Sequence, residues 1–219
     1  MTNQTDSLID EVTEAVRRDR LFAFMRRYAW IAVLAVIALV GGATYTEWRR
    51  ASEAAAAQAV GDSVYAALQT EDAAARAEAL AALDLGGAAV APAALLQAGS
   101  LAEAGETARA AEVLAAVAAD PGFSTVWRDL AALKRVLLLD AAALDPEGRI
   151  QALAPLTGPG APFRVIAQEL TAYAMAQSGD REGAVAMLTA LTMDQQASDG
   201  LRQRVLQMLV VLDPGEAEG

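Results

Sequence analysis

The chain of 219 residues contains no cysteine, no histidine and a single lysine, Lys134. Without cysteine there is no disulfide framework, no iron–sulfur site and no thiol nucleophile. Without histidine there is no histidine-ligated haem and no Ser-His-Asp triad, and without either type there is no zinc finger. Aromatic residues make up only 5% of the chain, and strand-forming types are sparse, which argues against a β-rich core. Basic residues are outnumbered 17 to 28, for a net charge of −11 and a sequence pI near 4.5. Proteins that neutralise phosphates need a basic footprint, so this balance excludes nucleic acid as a partner. The glycine pairs Gly41-Gly42 and Gly158-Pro159-Gly160 lack the flanking residues of a phosphate loop, and no cofactor is implied.

Alanine (54 residues) and leucine (27) fill over a third of the chain. Both are strong helix formers, so the expected class is all-α, a protein that binds rather than catalyses. The charge is unevenly placed. Residues 1–27 sum to zero and 28–51 to +1, while 52–219 hold 10 basic against 22 acidic groups. That acidic body is long enough for one domain with its own core.

Tyr28 to Thr46 is a run of 19 residues without a charge, bracketed by Tyr28 and Trp30 on one side and Tyr45 and Trp48 on the other. A membrane helix needs roughly 20 apolar residues with aromatic rings at its ends, so the run predicts a transmembrane helix over 28–48. Arg17, Arg18, Arg20, Arg26 and Arg27 precede it and only Arg49 and Arg50 follow closely, which predicts a cytoplasmic N-terminus and a periplasmic body in a bacterial inner membrane. A cleaved signal peptide is the competing reading. Ser7 to Met25 predicts an amphipathic helix opened by a capping box, Ser7 with Asp10, which is either a solvated helix that sets the topology or one that lies on membrane lipid or docks on a partner. Ala38, Gly42 and Thr46 recur every fourth residue and are candidates for close helix packing within the span.

The body divides into helical patterns over 51–69, 72–84, 92–104, 107–119, 124–140, 147–155, 162–178, 181–192 and 197–211, separated by Gly, Pro and Asp clusters. That is four hairpins and a closing helix. Ala98, Gly105, Ala110, Leu114 and Val117 have the same offsets as Ala172, Gly179, Ala184, Leu188 and Leu191. This is the spacing of the tetratricopeptide repeat. Trp127, Leu130 and Ala131 match the start of such a repeat, and Asp120-Pro121 its close. The expected architecture is a single N-terminal transmembrane helix followed by a degenerate tetratricopeptide-like α-solenoid. Its divisions are a cytoplasmic helix (1–27), the span (28–48), a periplasmic repeat domain (49–212) and a disordered tail (213–219).

The segment SLIDEVTEAVRRDRLFAFMRRY running into the span, FSTVWRDLAALKRVLLL, ELTAYAMAQSGDREGAVAMLTAL and the closing LRQRVLQMLVVL together resemble the ancillary SecYEG translocon subunits of the YfgM type. The resemblance implies an accessory subunit beside the SecYEG translocon, working with a periplasmic chaperone of the PpiD type, and no active site. A general periplasmic scaffold for another envelope or respiratory complex is the alternative, and a homo-oligomer is left open.

Acidic pairs such as Glu71/Asp72, Asp145/Glu147 and Asp194/Asp199 fall at helix starts and turns, where a carboxylate caps free N–H groups and favours the helix dipole. The surface expected to bind protein is the concave one, lined by the first helix of each pair. Aligning on Ala98, Ala131 and Ala172 places Arg128, Ala132, Arg135, Glu169, Tyr173 and Gln177 there, with Leu95 and Glu103 beside them. Arg128 and Arg135 are suited either to a partner's carboxylates or to neighbouring acids such as Asp129 and Asp140.

Overall fold

The computed structural model describes residues 3–139 and 143–212, with side chains described from residue 30 onward apart from 32 and 36. Among the described residues the only regular structure is helical: α1 (Asn3–Leu68), α2 (Ala73–Ala81), α3 (Val90–Glu103), α4 (Thr107–Ala119), α5 (Thr125–Leu138), α6 (Pro146–Leu153), α7 (Arg164–Ser178), α8 (Arg181–Thr192) and α9 (Asp199–Leu212), with 3-10 turns at Gly87–Ala89 and Ala154–Leu156. The chain forms two compact units, Met1–Ala59 and Val60–Gly219.

In the first unit the sequence expectation of a membrane span is corrected. Among the described residues no helix is long and apolar enough to cross a membrane. Residues 28–48 are instead one part of the 66-residue helix α1. Ala38, Gly42 and Thr46 are exposed on it; the Thr46 hydroxyl donates to the Ala43 carbonyl at 2.8 Å. Arg49 pairs with Glu53 at 2.8 Å. The capping box at Ser7 and Asp10 and the arginines from Arg17 to Arg27 fall on residues whose side chains lie outside the described set, as do the tail 213–219 and Asp140.

The second unit is built from sequential antiparallel neighbours. α3 packs on α2 and α4, α4 on α5, α6 on α7, and α8 on α7 and α9. The hairpin expected between 51–69 and 72–84 is therefore redrawn, because α2 packs on the helix after it. Ala77 and Leu80 of α2 are buried, and Ala77 shares a core with Ala91, Leu95, Ala98 and Leu101 of α3. Aspartates start several helices. The carboxylates of Asp72, Asp145 and Asp180 accept from the backbone N–H of Ala75, Gly148 and Gly183 at 2.8–2.9 Å, satisfying donors that the first turn leaves free.

One regularity organises this unit: α3–α4–α5 is repeated by α7–α8–α9 at a displacement of 74 residues. Thr125–Leu138 maps end to end onto Asp199–Leu212. Ala110, Leu114 and Val117 of α4 are buried, as are Ala184, Leu188 and Leu191 of α8. The intervening turns correspond too. Gly105 (φ +80°) and Gly179 (φ +96°) both occupy the left-handed region after the first helix, where a Cβ would be strained. Asp120 accepts from the Gly122 N–H and Asp194 from the Gln196 N–H, each at 2.8 Å. Small residues at Ala98, Ala110, Ala172 and Ala184, all at most 2% exposed, let the helix backbones approach closely.

Between the two blocks, α6 and the following 3-10 turn place Leu153 and Leu156 against Leu133 and Val136 of α5 and Ala167 of α7 in a further core. Arg149 donates to the carbonyls of Leu139 (2.8 Å) and Leu144 (3.1 Å), which fastens α6 to the end of α5.

Candidate functional site

The 74-residue register gives each block a groove in the same place, between its first and third helices. The α3/α5 groove is about 260 Å³ and is lined by Ala98, Gly99 and Ala102 on one side and Lys134, Leu137 and Leu138 on the other, with Leu114 of α4 beneath. The α7/α9 groove is about 390 Å³ and is lined by Tyr173 and Ala176 facing Met208, Val211 and Leu212. Ala102 corresponds to Ala176, Leu137 to Val211 and Leu138 to Leu212, each 74 residues apart. Helix ends and turn residues set the spacing of the paired helices, and the small side chains of α3 and α7 keep the channel between them open.

The α7/α9 groove has a charged floor. Glu169, 8% exposed, receives two hydrogen bonds from Arg204 across the groove: Nε to Oε1 at 2.7 Å and Nη2 to Oε2 at 2.8 Å. The Glu169 carboxylate raises the Arg204 guanidinium pKa above its ordinary value. Above this pair, Tyr173 is 48% exposed and Val211 77% exposed. Large apolar side chains left in the open along a concave, mostly apolar channel are what a docking surface for another protein presents.

Of the residues chosen from sequence, Glu169 and Tyr173 line this groove together, whereas Gln177 is exposed on α7 outside its lining. Arg128 and Arg135 line neither groove. Instead of facing open space, the side of α5 that carries them is bordered by buried Ala131 and Val136. Both arginines are half-buried, and the Nε of each is buried without a hydrogen-bond partner among the described residues. Neither pairs with Asp129 among the described residues, while Asp140 falls outside them. Arg128 Nη2 reaches the Thr125 hydroxyl at 3.3 Å, as its counterpart Arg202 reaches Asp199 at 3.0 Å. Leu95 is buried in the core, and Glu103 is ion-paired with Arg76. Arg204, Met208 and Val211 also line the α7/α9 groove, although the sequence pattern alone marks α9 only as a closing helix. Carrying the Ala98–Ala172 register forward to Ala131 and Val205 would have found them.

Outside the grooves, Arg164 and Asp194 clasp the start of α7 to the end of α8 at 2.7 Å, each side chain 18% exposed. The Arg164 hydrogen bond, helped by the Gln196 N–H, holds the Asp194 carboxyl below the usual carboxylate range. Arg109 bridges Glu78 and Glu106 at 2.6 Å each. Among the described residues no group of three or more acidic side chains is placed to hold a metal ion. No family model, curated protein or solved structure matches this chain.

Proposed function

We propose that the second unit is a protein-binding module whose α7/α9 groove receives an apolar segment of a partner. The single observation that carries this reading is the exposure of Tyr173 and Val211 along a channel of about 390 Å³. The segment's anchor side chains would cover these two residues, with the Glu169–Arg204 pair beneath supplying polar contacts at one side. Interfaces of this kind draw most of their energy from a few such apolar and aromatic anchors.

The finer assignment, an accessory to the SecYEG translocon acting with a PpiD-type periplasmic chaperone, is supported by the resemblance of FSTVWRDLAALKRVLLL and ELTAYAMAQSGDREGAVAMLTAL to that family. Photo-crosslinking tests both levels. A photoreactive side chain at Tyr173 is expected to give discrete protein adducts in cells, and one at exposed Glu112 on α4 is not. Translocon or chaperone components among the Tyr173 adducts support the finer assignment, and other proteins there refute it. Equal labelling at Glu112, or no adduct at Tyr173, refutes the binding reading itself.

A further inference from the structure

The two grooves share a position but differ in chemistry. Where the α7/α9 groove has Tyr173 and Met208, the α3/α5 groove has Gly99 and Lys134. Its floor is apolar: the counterparts of the Glu169–Arg204 pair are Leu95, buried, and Leu130, packed on the same core. At Gly99 a Cβ would meet nothing within 4 Å, so the missing side chain leaves a slot in the wall of the groove. Leu137, 58% exposed, borders that slot.

Lys134 is the charge at this groove. It is exposed, and no ion pair involves it among the described residues. That sets it apart from Arg76, Arg109, Arg164, Arg202 and Arg204, each of which meets a carboxylate of this unit. Arg128 and Arg135, on the same helix, likewise have no carboxylate partner among the described residues. Helix α5 therefore carries three cations against the single acid Asp129, inside a unit with 10 basic and 21 acidic residues over 60–219. A locally cationic helix on an acidic body attracts an acidic group there and repels it elsewhere, so charge directs where a partner docks.

Resting on the reading of the grooves as protein-binding sites, we propose that the α3/α5 groove is selective for a partner segment bearing an apolar side chain next to a carboxylate. The apolar side chain fills the slot beside Gly99 against Ala102 and Leu137, and the carboxylate pairs with the Lys134 ammonium. The occupant is thus an acidic, apolar peptide segment of another protein. The α7/α9 groove, with Met208 in place of the lysine, imposes no such charge requirement.

Panning a displayed library of random peptides about 12 residues long against the full chain tests this. The wild-type chain is expected to enrich peptides with Asp or Glu within one helical turn of Leu, Ile, Phe or Met. Lys134→Glu is expected to lower that class by about tenfold, the factor that 1.4 kcal/mol corresponds to, and to raise Lys- and Arg-bearing peptides instead. Gly99→Leu, which fills the slot with the protein's own side chain, is expected to remove the acidic class while leaving peptides that depend on Tyr173. Circular dichroism melting of each variant verifies that it is folded. Enrichment with no acidic preference, or an acidic class unmoved by both variants, overturns the selectivity while leaving the binding reading intact. No enrichment over an unrelated bait overturns both.

Discussion

Arg204 on α9 grips Glu169 on α7 through two parallel hydrogen bonds of 2.7 and 2.8 Å, at the position where the preceding block of the same chain holds Leu95 and Leu130. One architectural position is thus filled by an ion pair in one copy and by two leucines in the other. The Glu169 side chain is 11% exposed and that of Arg204 58%; such a half-covered ion pair is often replaceable by apolar groups of similar volume, whereas removing one partner leaves a charge without its counterion.

This gives the first prediction. Arg204→Leu alone, which takes the counterion from the largely buried Glu169 carboxylate, is expected to cost about 2 kcal/mol in urea unfolding, a figure reduced because the Arg204 side chain is itself 58% exposed. The double substitution Glu169→Leu with Arg204→Leu, which reproduces the first block, is expected to restore stability to within about 1 kcal/mol of the parent. If the double variant unfolds as easily as the single one, the two positions are not interchangeable.

Glycines supply the second prediction. Gly105 and Gly179 stand at φ +80° and +96°, so Gly→Ala at either is expected to cost about 1–2 kcal/mol. Gly99, inside α3 with open space around its missing Cβ, is expected to gain about 0.5–1 kcal/mol as alanine. Opposite signs in the urea midpoints verify the assignment, and equal signs contradict it.

The third prediction concerns acid. The Asp194 carboxyl is held below the usual carboxylate range first by its hydrogen bond from Arg164, then by the Gln196 N–H. Because its folded-state pKa is depressed, its contribution is fully present above the unfolded value of about 4 and disappears as pH falls through the folded value. Asp194→Asn is therefore expected to lower Tm at pH 7 and to flatten the dependence of Tm on pH below about 4. A variant whose acid limb parallels the parent's would show that the clasp does not form in solution.

A fourth prediction tests the internal duplication. Leu114 and Leu188 occupy equivalent buried positions, 2% and 0% exposed. Each Leu→Ala is expected to cost about 2–5 kcal/mol, and the two costs are expected to be of similar size, since both side chains are buried at the same register position. Costs that differ by several-fold would mean the two cores are not equivalent.

Much of this organisation was legible in the sequence, and the failures have physical causes. The helix patterns at 107–119 and 181–192 coincide with α4 and α8, because Gly105, Asp120-Pro121-Gly122 and Gly179-Asp180 punctuate them with residues that helices end on. The shared offsets of Ala98 and Ala172 pointed to the repeat. Its full length, three helices over 74 residues, emerged only when α5 and α9 coincided end to end. Arg128 and Arg135 share a helix face by periodicity, but periodicity does not say what that face meets, and neither residue lines a groove. In the structure α6 intervenes after α5, and Leu153 and Leu156 close against Leu133 and Val136. The expected span over 28–48 is not supported, since among the described residues no helix is long and apolar enough to cross a membrane. The pairing of 51–69 with 72–84 failed because α2 buries Ala77 in the core it shares with α3.

Whether partners are held in the α7/α9 groove is read most directly by calorimetric titration of the protein captured at Tyr173. Val211, 77% exposed on the groove wall, can become Glu with little effect on the fold, while a charge there opposes an apolar anchor. Val211→Glu is expected to weaken binding by about tenfold or more with Tm unchanged to within about 2 °C. Undiminished affinity for the Val211→Glu variant would rule the groove out as the binding site.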